Sequence, residues 1–244
     1  MIAIQTNNLT KKFEKKIAVH SLDLSIEQGE LFALLGVNGA GKTTTIKMLT
    51  CLSSPTSGDA TLLGNSIVSN PHGVKELINV SPQETAVAPN LTVRENLELI
   101  AQIYGFDKKT VEIRVEEMLR TFSLTEVSNN KAKTLSGGMQ RRLSIAMALI
   151  TNPQILFLDE PTLGLDVIAR RELWNAVKKL KGSITIILTT HYMDEAEVLS
   201  DRIGIMAKGR LKAVGTVAEL MAKTNTESLE EAFVSLATKE EVER

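Results

Sequence analysis

Apolar residues in the first part of the chain recur at every second position. Ile2 and Ile4 stand two apart, as do Leu22, Leu24 and Ile26, the period of strands that bury one face. LFALLG at 31–36 is instead an unbroken apolar run ending at glycine. ILFLD at 155–159 and ITIIL at 184–188 have the same character. Such runs suit strands covered on both faces, as in a parallel sheet. Helical patterns lie between them; in RRELWNAVKKL, Leu173, Trp174, Val177 and Leu180 recur at helical spacing. Buried strands alternating with helices predict an α/β fold with a parallel sheet.

From about residue 90 to 150 the pattern carries helix signals and no strand signal. Thr92-Val93-Arg94-Glu95 reads as a capping box, followed by Leu97, Ile100, Ile103 and Tyr104 on one expected helical face. VEIRVEEMLRTF at 111–122 predicts a second helix. This stretch is expected to be a helical insert between sheet strands. Ser228-Leu229-Glu230-Glu231 predicts the start of a last helix whose Leu229, Phe233 and Leu236 face the body, with a frayed KEEVER end.

Composition narrows the function classes. The 244 residues carry 28 Lys+Arg against 29 Asp+Glu, with 43% hydrophobic residues. That fraction is too high for a disordered chain. The near-neutral balance argues against a nucleic-acid binder that works by bulk phosphate attraction. A single cysteine, Cys51, excludes an intramolecular disulfide framework and fits a reducing compartment. No signal-peptide pattern opens the sequence, and no apolar stretch approaches the roughly 20 residues of a membrane helix. A soluble, cytoplasmic protein is expected, and any membrane work would need a spanning partner.

Three segments carry chemistry. Gly36-Val37-Asn38-Gly39-Ala40-Gly41-Lys42-Thr43-Thr44 fits G-x-x-x-x-G-K-[ST] between an apolar strand and a helix. In that pattern backbone amides cradle phosphate, Lys42 reaches the β- and γ-phosphates, and Thr43 offers its hydroxyl to Mg²⁺. QILFLDEP ends a strand in two carboxylates, Asp159 and Glu160. Successive strand side chains point opposite ways, so one can serve Mg²⁺ and the other can orient a water as general base. Leu135-Ser136-Gly137-Gly138-Met139-Gln140 precedes the apolar helix RRLSIAMALI, a second helix start suited to an anion.

In that order, and with Gln83 in VSPQE, Asp166 in Leu163-Gly164-Leu165-Asp166 and His191 in TTHYMDEAE, the sequence resembles the ATP-binding cassette ATPases. The nucleotide-binding subunit of a transporter is the specific likeness, from Phe13 to about residue 220. The resemblance implies a P-loop NTPase core with a mostly parallel sheet, an N-terminal antiparallel β-subdomain and an inserted helical subdomain. Residues 1–85 and 151–220 would form the core, 86–150 the helical part and 221–244 a short helical tail.

The same resemblance implies ATP and Mg²⁺ as ligands and a head-to-tail dimer with a second ATP-binding subunit. Ser136, Gly137 and Gly138 of one copy would close on the γ-phosphate held by Lys42 of the other. Phe13 would stack on adenine, and Gln83 would touch Mg²⁺ or its water. Asp159 would be the Mg²⁺-side acid, Glu160 the base and His191 a γ-phosphate contact, with Asp166 bridging the copies. Without that frame, Phe13 reads as minor core, Asp166 as a helix cap and His191 as structural. Trp174 reads as core, His20 and His72 lack metal-ligand spacing, and Lys11-Lys12 and Lys15-Lys16 read as a solvated basic face.

Four departures from the family pattern stand out. Val37 and Val167 replace frequent prolines, Met139 replaces a glutamine of the signature, and Cys51 takes a usual glycine position. The expected function is the ATP-hydrolysing subunit of an exporter of drugs, lipids, polysaccharide or peptides. Its partner would be a separate transmembrane permease, its place the inner face of the cell membrane, and it would not bind nucleic acid. The alternatives are a cassette ATPase of DNA repair or translation and an ATP-binding regulator. A repair type needs a long coiled-coil insert and a translation type usually two cassettes, while the set Lys42, Asp159, Glu160 and His191 argues against a regulator.

Overall fold

The computed structural model describes residues 1–14 and 16–238; Lys15 and the KEEVER end at 239–244 lie outside them. Four strands open the chain: β1 (Ile2–Phe13), β2 (Lys16–Leu22), β3 (Ser25–Glu27) and β4 (Leu31–Leu35). Helix α1 (Lys42–Leu49) follows, then β5 (Ser57–Leu62), β6 (Asn65–Ser66), α2 (Pro71–Leu77) and β7 (Ile78–Ser81). The helical stretch holds α3 (Val93–Ile103), α4 (Lys108–Thr121) and α5 (Gly137–Leu149). The chain then runs through β8 (Ile155–Asp159), α6 (Val167–Lys178), β9 (Thr185–Thr190), α7 (Met193–Leu199) and the hairpin β10 (Arg202–Ala207) and β11 (Arg210–Gly215). Helices α8 (Val217–Thr224) and α9 (Leu229–Thr238) complete it.

Two sheets result. The central one has the order β11-β10-β4-β9-β8-β7, parallel except for the antiparallel edge strand β11. The other is antiparallel, in the order β2-β1-β5-β6 with β3 also on β1. The unbroken apolar runs have a direct cause. Leu31, Ala33 and Leu35 face one core, shared with α3, α4, α5, α6 and α7, while Phe32 and Leu34 face the other, beneath the antiparallel sheet and α1. Leu156 and Leu158 divide from Ile155 and Phe157 in the same way. These side chains are buried, which for each leucine, isoleucine or phenylalanine removes apolar surface worth about 1.5–3 kcal/mol from water.

The first strand corrects one expectation. Ile4 is buried but Ile2 is 52% exposed, and Ala3 is buried beside Ile4. In β1 the chain advances two residues from Ile2 to Ile4, while its partner advances only one, from Glu27 to Ile26. This bulge moves Ile2 off the face that the alternation assigns to it. Leu22, Leu24 and Ile26 are all buried as predicted, although the strand breaks between them. The buried Thr6 hydroxyl bridges the break, donating to Leu22 O and accepting from Leu24 N, both at 2.8 Å.

In the helical stretch the capping box forms. Thr92 Oγ1 accepts from Glu95 N at 3.1 Å, and Glu95 accepts from Thr92 N at 2.7 Å. Its face differs from the expected one. Val93, Leu97 and Ala101 are buried, but Ile103 and Tyr104 are 67% and 53% exposed. The helix ends there: Gly105 takes φ +81° and Phe106 N returns to Ala101 O. Phe106 makes the closing apolar contact in place of Tyr104. At the other end, Ser228 caps α9 through Glu231 N, and Leu229, Phe233 and Leu236 are buried.

Candidate functional site

Strands β4, β8 and β9 deliver their carboxyl ends to one side of the sheet, where open α/β folds bind ligands. A cavity of about 450 Å³ opens there, lined by Phe13, Asn38, Gly39, Gly41, Lys42, Thr43, Thr44, Gln83, Glu160 and His191, and also by Lys16, Ala18 and Leu163. The sequence signals for Phe13, the phosphate loop, Gln83, Glu160 and His191 thus converge on one space.

The loop from Gly36 to Gly41 leads from β4 into α1, whose first-turn amides at Lys42, Thr43 and Thr44 have no acceptor within the helix. Gly41 has no substitute. Its φ is +109°, and a Cβ there would sit 2.4 Å from Ala18 O. Lys42 is 4% exposed. Its Nζ donates to Gly36 O at 2.7 Å and to Val37 O at 3.3 Å, and it pairs with Glu160 Oε1 at 3.1 Å.

The two strand-end carboxylates take different partners, as their alternation predicts. Asp159 Oδ1 accepts from Thr43 Oγ1 at 3.2 Å and from Thr189 Oγ1 at 2.5 Å. Glu160 sits at φ +47°, in the left-handed region that is uncommon for a residue with a side chain. Its backbone amide donates to Thr189 O and to Thr189 Oγ1. Its carboxylate spans Lys42 on one side and His191 Nδ1, at 2.7 Å, on the other. Thr189 therefore holds both acids, a role hidden in a β-strand threonine.

A donor set of threonine hydroxyl and carboxylate oxygen suits a hard cation such as Mg²⁺. Among the described residues no group of three His, Cys, Asp or Glu could hold a metal alone. An ion at Thr43 and Asp159 would therefore need oxygens from a bound phosphate or from water.

The signature segment stands apart from this cavity. Ser136 caps α5 by accepting from Met139 N at 3.3 Å, and Ser136 and Gly137 are exposed. Gly138 is buried, and a Cβ on it would meet Ala169 Cβ at 2.7 Å, so close packing on α6 also demands a glycine there. Met139 packs on the chain's own core, and Gln140 Nε2 donates to Leu135 O. Asp166 caps α6 by accepting from Ile168 N and Ala169 N, both at 2.9 Å. The cavity lining includes none of Ser136, Gly137, Gly138 and Asp166.

Sequence patterns alone did not expose Arg141. It is 4% exposed, and its guanidinium donates only to carbonyls: Pro161 O at 2.8 Å, Asp159 O at 2.9 Å, Gln83 O at 3.4 Å and Pro82 O. Burial lowers it to about 10, with the charges of Asp159 and Glu195 acting against that, so it stays a cation at neutral pH. Glu195 is fully buried, with its Oε1 accepting from Trp174 Nε1 at 3.1 Å. Trp174 is thus packed structure, as expected. His72 is exposed beside Glu76, and His20 Nε2 lies 3.3 Å from Arg210. Cys51 is half-buried at φ +56°, which explains why glycine is usual there.

Burial pushes the Glu195 carboxyl above its ordinary 4.5, while the hydrogen bond from Trp174 works the other way. The folded protein then keeps this proton to a higher pH than the unfolded chain does, so stability falls as pH rises through that interval. Glu195→Gln removes the titration. Its thermal midpoint is expected to gain on the unmodified protein steadily from acid to neutral pH. Thermal denaturation across that range checks it, and a constant offset would contradict the buried-carboxyl account.

The profile of the ABC transporter family matches residues 19–163. The chain belongs to that family. It is an ABC ATPase domain, and such domains bind ATP. It is 39% identical over 243 residues to the daunorubicin/doxorubicin resistance ATP-binding protein DrrA of Streptomyces peucetius, covering 99% of this chain and 74% of that protein. ABC transporter A family member 2 of Arabidopsis thaliana is 46% identical over 218 residues, 88% of this chain. The chain spans only 22% of the length of that relative. Among solved structures, a dimeric ATP-binding cassette in a post-hydrolysis state with ADP and phosphate has a TM-score of 0.78 and 28% identity, covering 87% of this ABC domain and 98% of that chain. No helix among the described residues is long and apolar enough to cross a membrane.

Proposed function

We propose that the cavity binds ATP with Mg²⁺, hydrolyses it, and through a second ATP-binding subunit and a separate membrane-spanning permease powers transport, most simply export. The observation that carries this reading is the continuous link Lys42–Glu160–His191 in one cavity, with the lining residue Thr43 bonded to the buried Asp159 behind it.

The amides at the start of α1 and the Lys42 ammonium bind phosphate oxygens. Thr43 and Asp159, with Gln83 at the rim, hold Mg²⁺, which neutralises charge developing on the phosphates. Phe13 is half exposed at the mouth, with Lys11 Nζ 5.0 Å from its ring centre, and offers a face to adenine. Phosphate draws Lys42 away from Glu160, which frees Oε1 to accept a proton from water. The water oxygen then bonds to the γ-phosphorus as the bond to the ADP oxygen breaks. His191 holds the Glu160 carboxylate in place and contacts the γ-phosphate.

Ser136, Gly137, Gly138 and Asp166 belong, on this reading, to the second subunit's nucleotide, which accounts for an exposed helix start that takes no part in the lining of the chain's own cavity. Exposed Val37, Leu163, Val167 and Ile168 provide apolar surface for that closure. ATP closes the pair, hydrolysis reopens it, and the helical stretch α3–α5 passes the motion to the permease. The resistance protein DrrA favours an exporter, with the chain peripheral on the membrane.

Isolation of the tagged chain from detergent-solubilised membranes of its own host is expected to bring down a multi-span protein. Recovery of the chain with no membrane protein would sink the transport reading.

A further inference from the structure

Arg141 has no role in the reading above, yet its surroundings are specific. The side chain leaves α5 within its second turn and ends among the backbone carbonyls of two loops, one after β7 and one after β8. Nε donates to Pro161 O and Nη2 to Asp159 O, at 2.8 and 2.9 Å, while Nη1 serves Pro82 O and, at 3.4 Å, Gln83 O. Two of these carbonyls bracket Glu160, one residue before it and one after. The other two belong to the loop that carries Gln83 into the cavity.

A buried guanidinium is costly to desolvate, and no carboxylate is among its hydrogen-bond partners here. Four carbonyls meet its planar fork, a geometry that a lysine tip cannot reproduce. The bonds fall where the backbone needs holding, because Glu160 sits at φ +47° between the two gripped carbonyls. Five residues before Arg141, on the same helix, Ser136 caps the exposed start of α5. Any shift of α5 is therefore carried by one rigid side chain to both the Glu160 turn and the Gln83 loop.

We propose that Arg141 is a positioning residue for hydrolysis, a clasp that keeps the Glu160 turn and the Gln83 loop in register with the start of α5. This rests on the ATPase reading of the cavity and adds to it the route by which contacts at Ser136 reach the hydrolytic carboxylate. Arg141 does not itself line the cavity and bonds no residue of the phosphate loop, so its loss is expected to act on turnover and not on phosphate binding.

The test compares Arg141→Lys and Arg141→Ala with the unmodified full chain in phosphate release, ATP affinity and thermal midpoint. Both variants are expected to lose about 10- to 100-fold in turnover, the scale of an ångström-level misplacement of a catalytic group. ATP affinity is expected to stay within about twofold, so the loss lies in kcat. Guanidinium ion at low, non-denaturing concentration is expected to recover part of the Arg141→Ala turnover and none of that lost in Glu160→Gln. Arg141→Lys keeps the charge and decides the matter alone if Arg141→Ala does not fold.

Unchanged turnover in the variants overturns the clasp. So does a joint fall of turnover, affinity and midpoint with no guanidinium rescue, which marks a merely structural residue. An unmodified chain that neither binds nor hydrolyses ATP refutes the proposed function itself, and that outcome is visible before any variant is compared.

Discussion

Glu160→Gln is expected to lower ATP turnover by about 10²–10⁴-fold, the range for loss of a general base, while ATP binding is kept or tightened. The substitution is nearly isosteric at a side chain only 6% exposed. An amide can still bond Lys42 and His191 across the distances of 3.1 and 2.7 Å seen here, so the turn should hold. What the amide cannot do is take the proton of the attacking water. Steady-state phosphate release and a binding isotherm separate the two effects. Turnover within about threefold of the unmodified protein would remove Glu160 from the role of base, since even modest general-base catalysis exceeds that.

Lys42→Ala is expected to act on the other term. The ammonium is placed at the base of the phosphate loop, held by Gly36 O at 2.7 Å. Charge-assisted hydrogen bonds contribute about 1.5–3 kcal/mol each, so ATP affinity should fall by about 10- to 100-fold, with turnover lost alongside. The variant also strips Glu160 of a buried partner. Removing one member of a buried pair can cost about 3–5 kcal/mol; the remaining His191 contact should hold the loss toward the low end. A fluorescent ATP analogue and thermal denaturation measure both consequences. Retained affinity in a folded Lys42→Ala protein would contradict the placement of the phosphates.

The parts of this arrangement that were legible in the sequence are those where chemistry forces residue type and spacing together. Only glycine tolerates the approach of Ala18 O to Gly41, and only a buried parallel strand needs runs such as ILFLD. The two cores on either side of the sheet follow from those runs directly. Roles that depend on long-range backbone contacts were not legible. Arg141 looks like one more basic residue in QRRL, because its partners are carbonyls, which leave no mark on residue identity. Thr189 resembles any strand threonine until Asp159 and Glu160 are folded against it.

Local geometry also overrode two good patterns. A single bulge moved Ile2 out of the buried face. A helix end at Gly105 gave the closing apolar contact to Phe106 and left Ile103 and Tyr104 exposed. Gly138 shows the reverse, a residue expected for one reason and also required for another, since it both opens α5 and lets α6 approach.

On this reading one chain's Ser136–Gly138 segment completes the nucleotide site of a second subunit, most simply another copy. Sedimentation velocity of Glu160→Gln with and without ATP tests it most directly. A monomer is expected without nucleotide and a dimer with ATP, and Ser136→Arg in the same background should abolish the dimer while ATP still binds. A protein that binds ATP fully and remains monomeric at saturation would contradict a nucleotide site shared between two subunits.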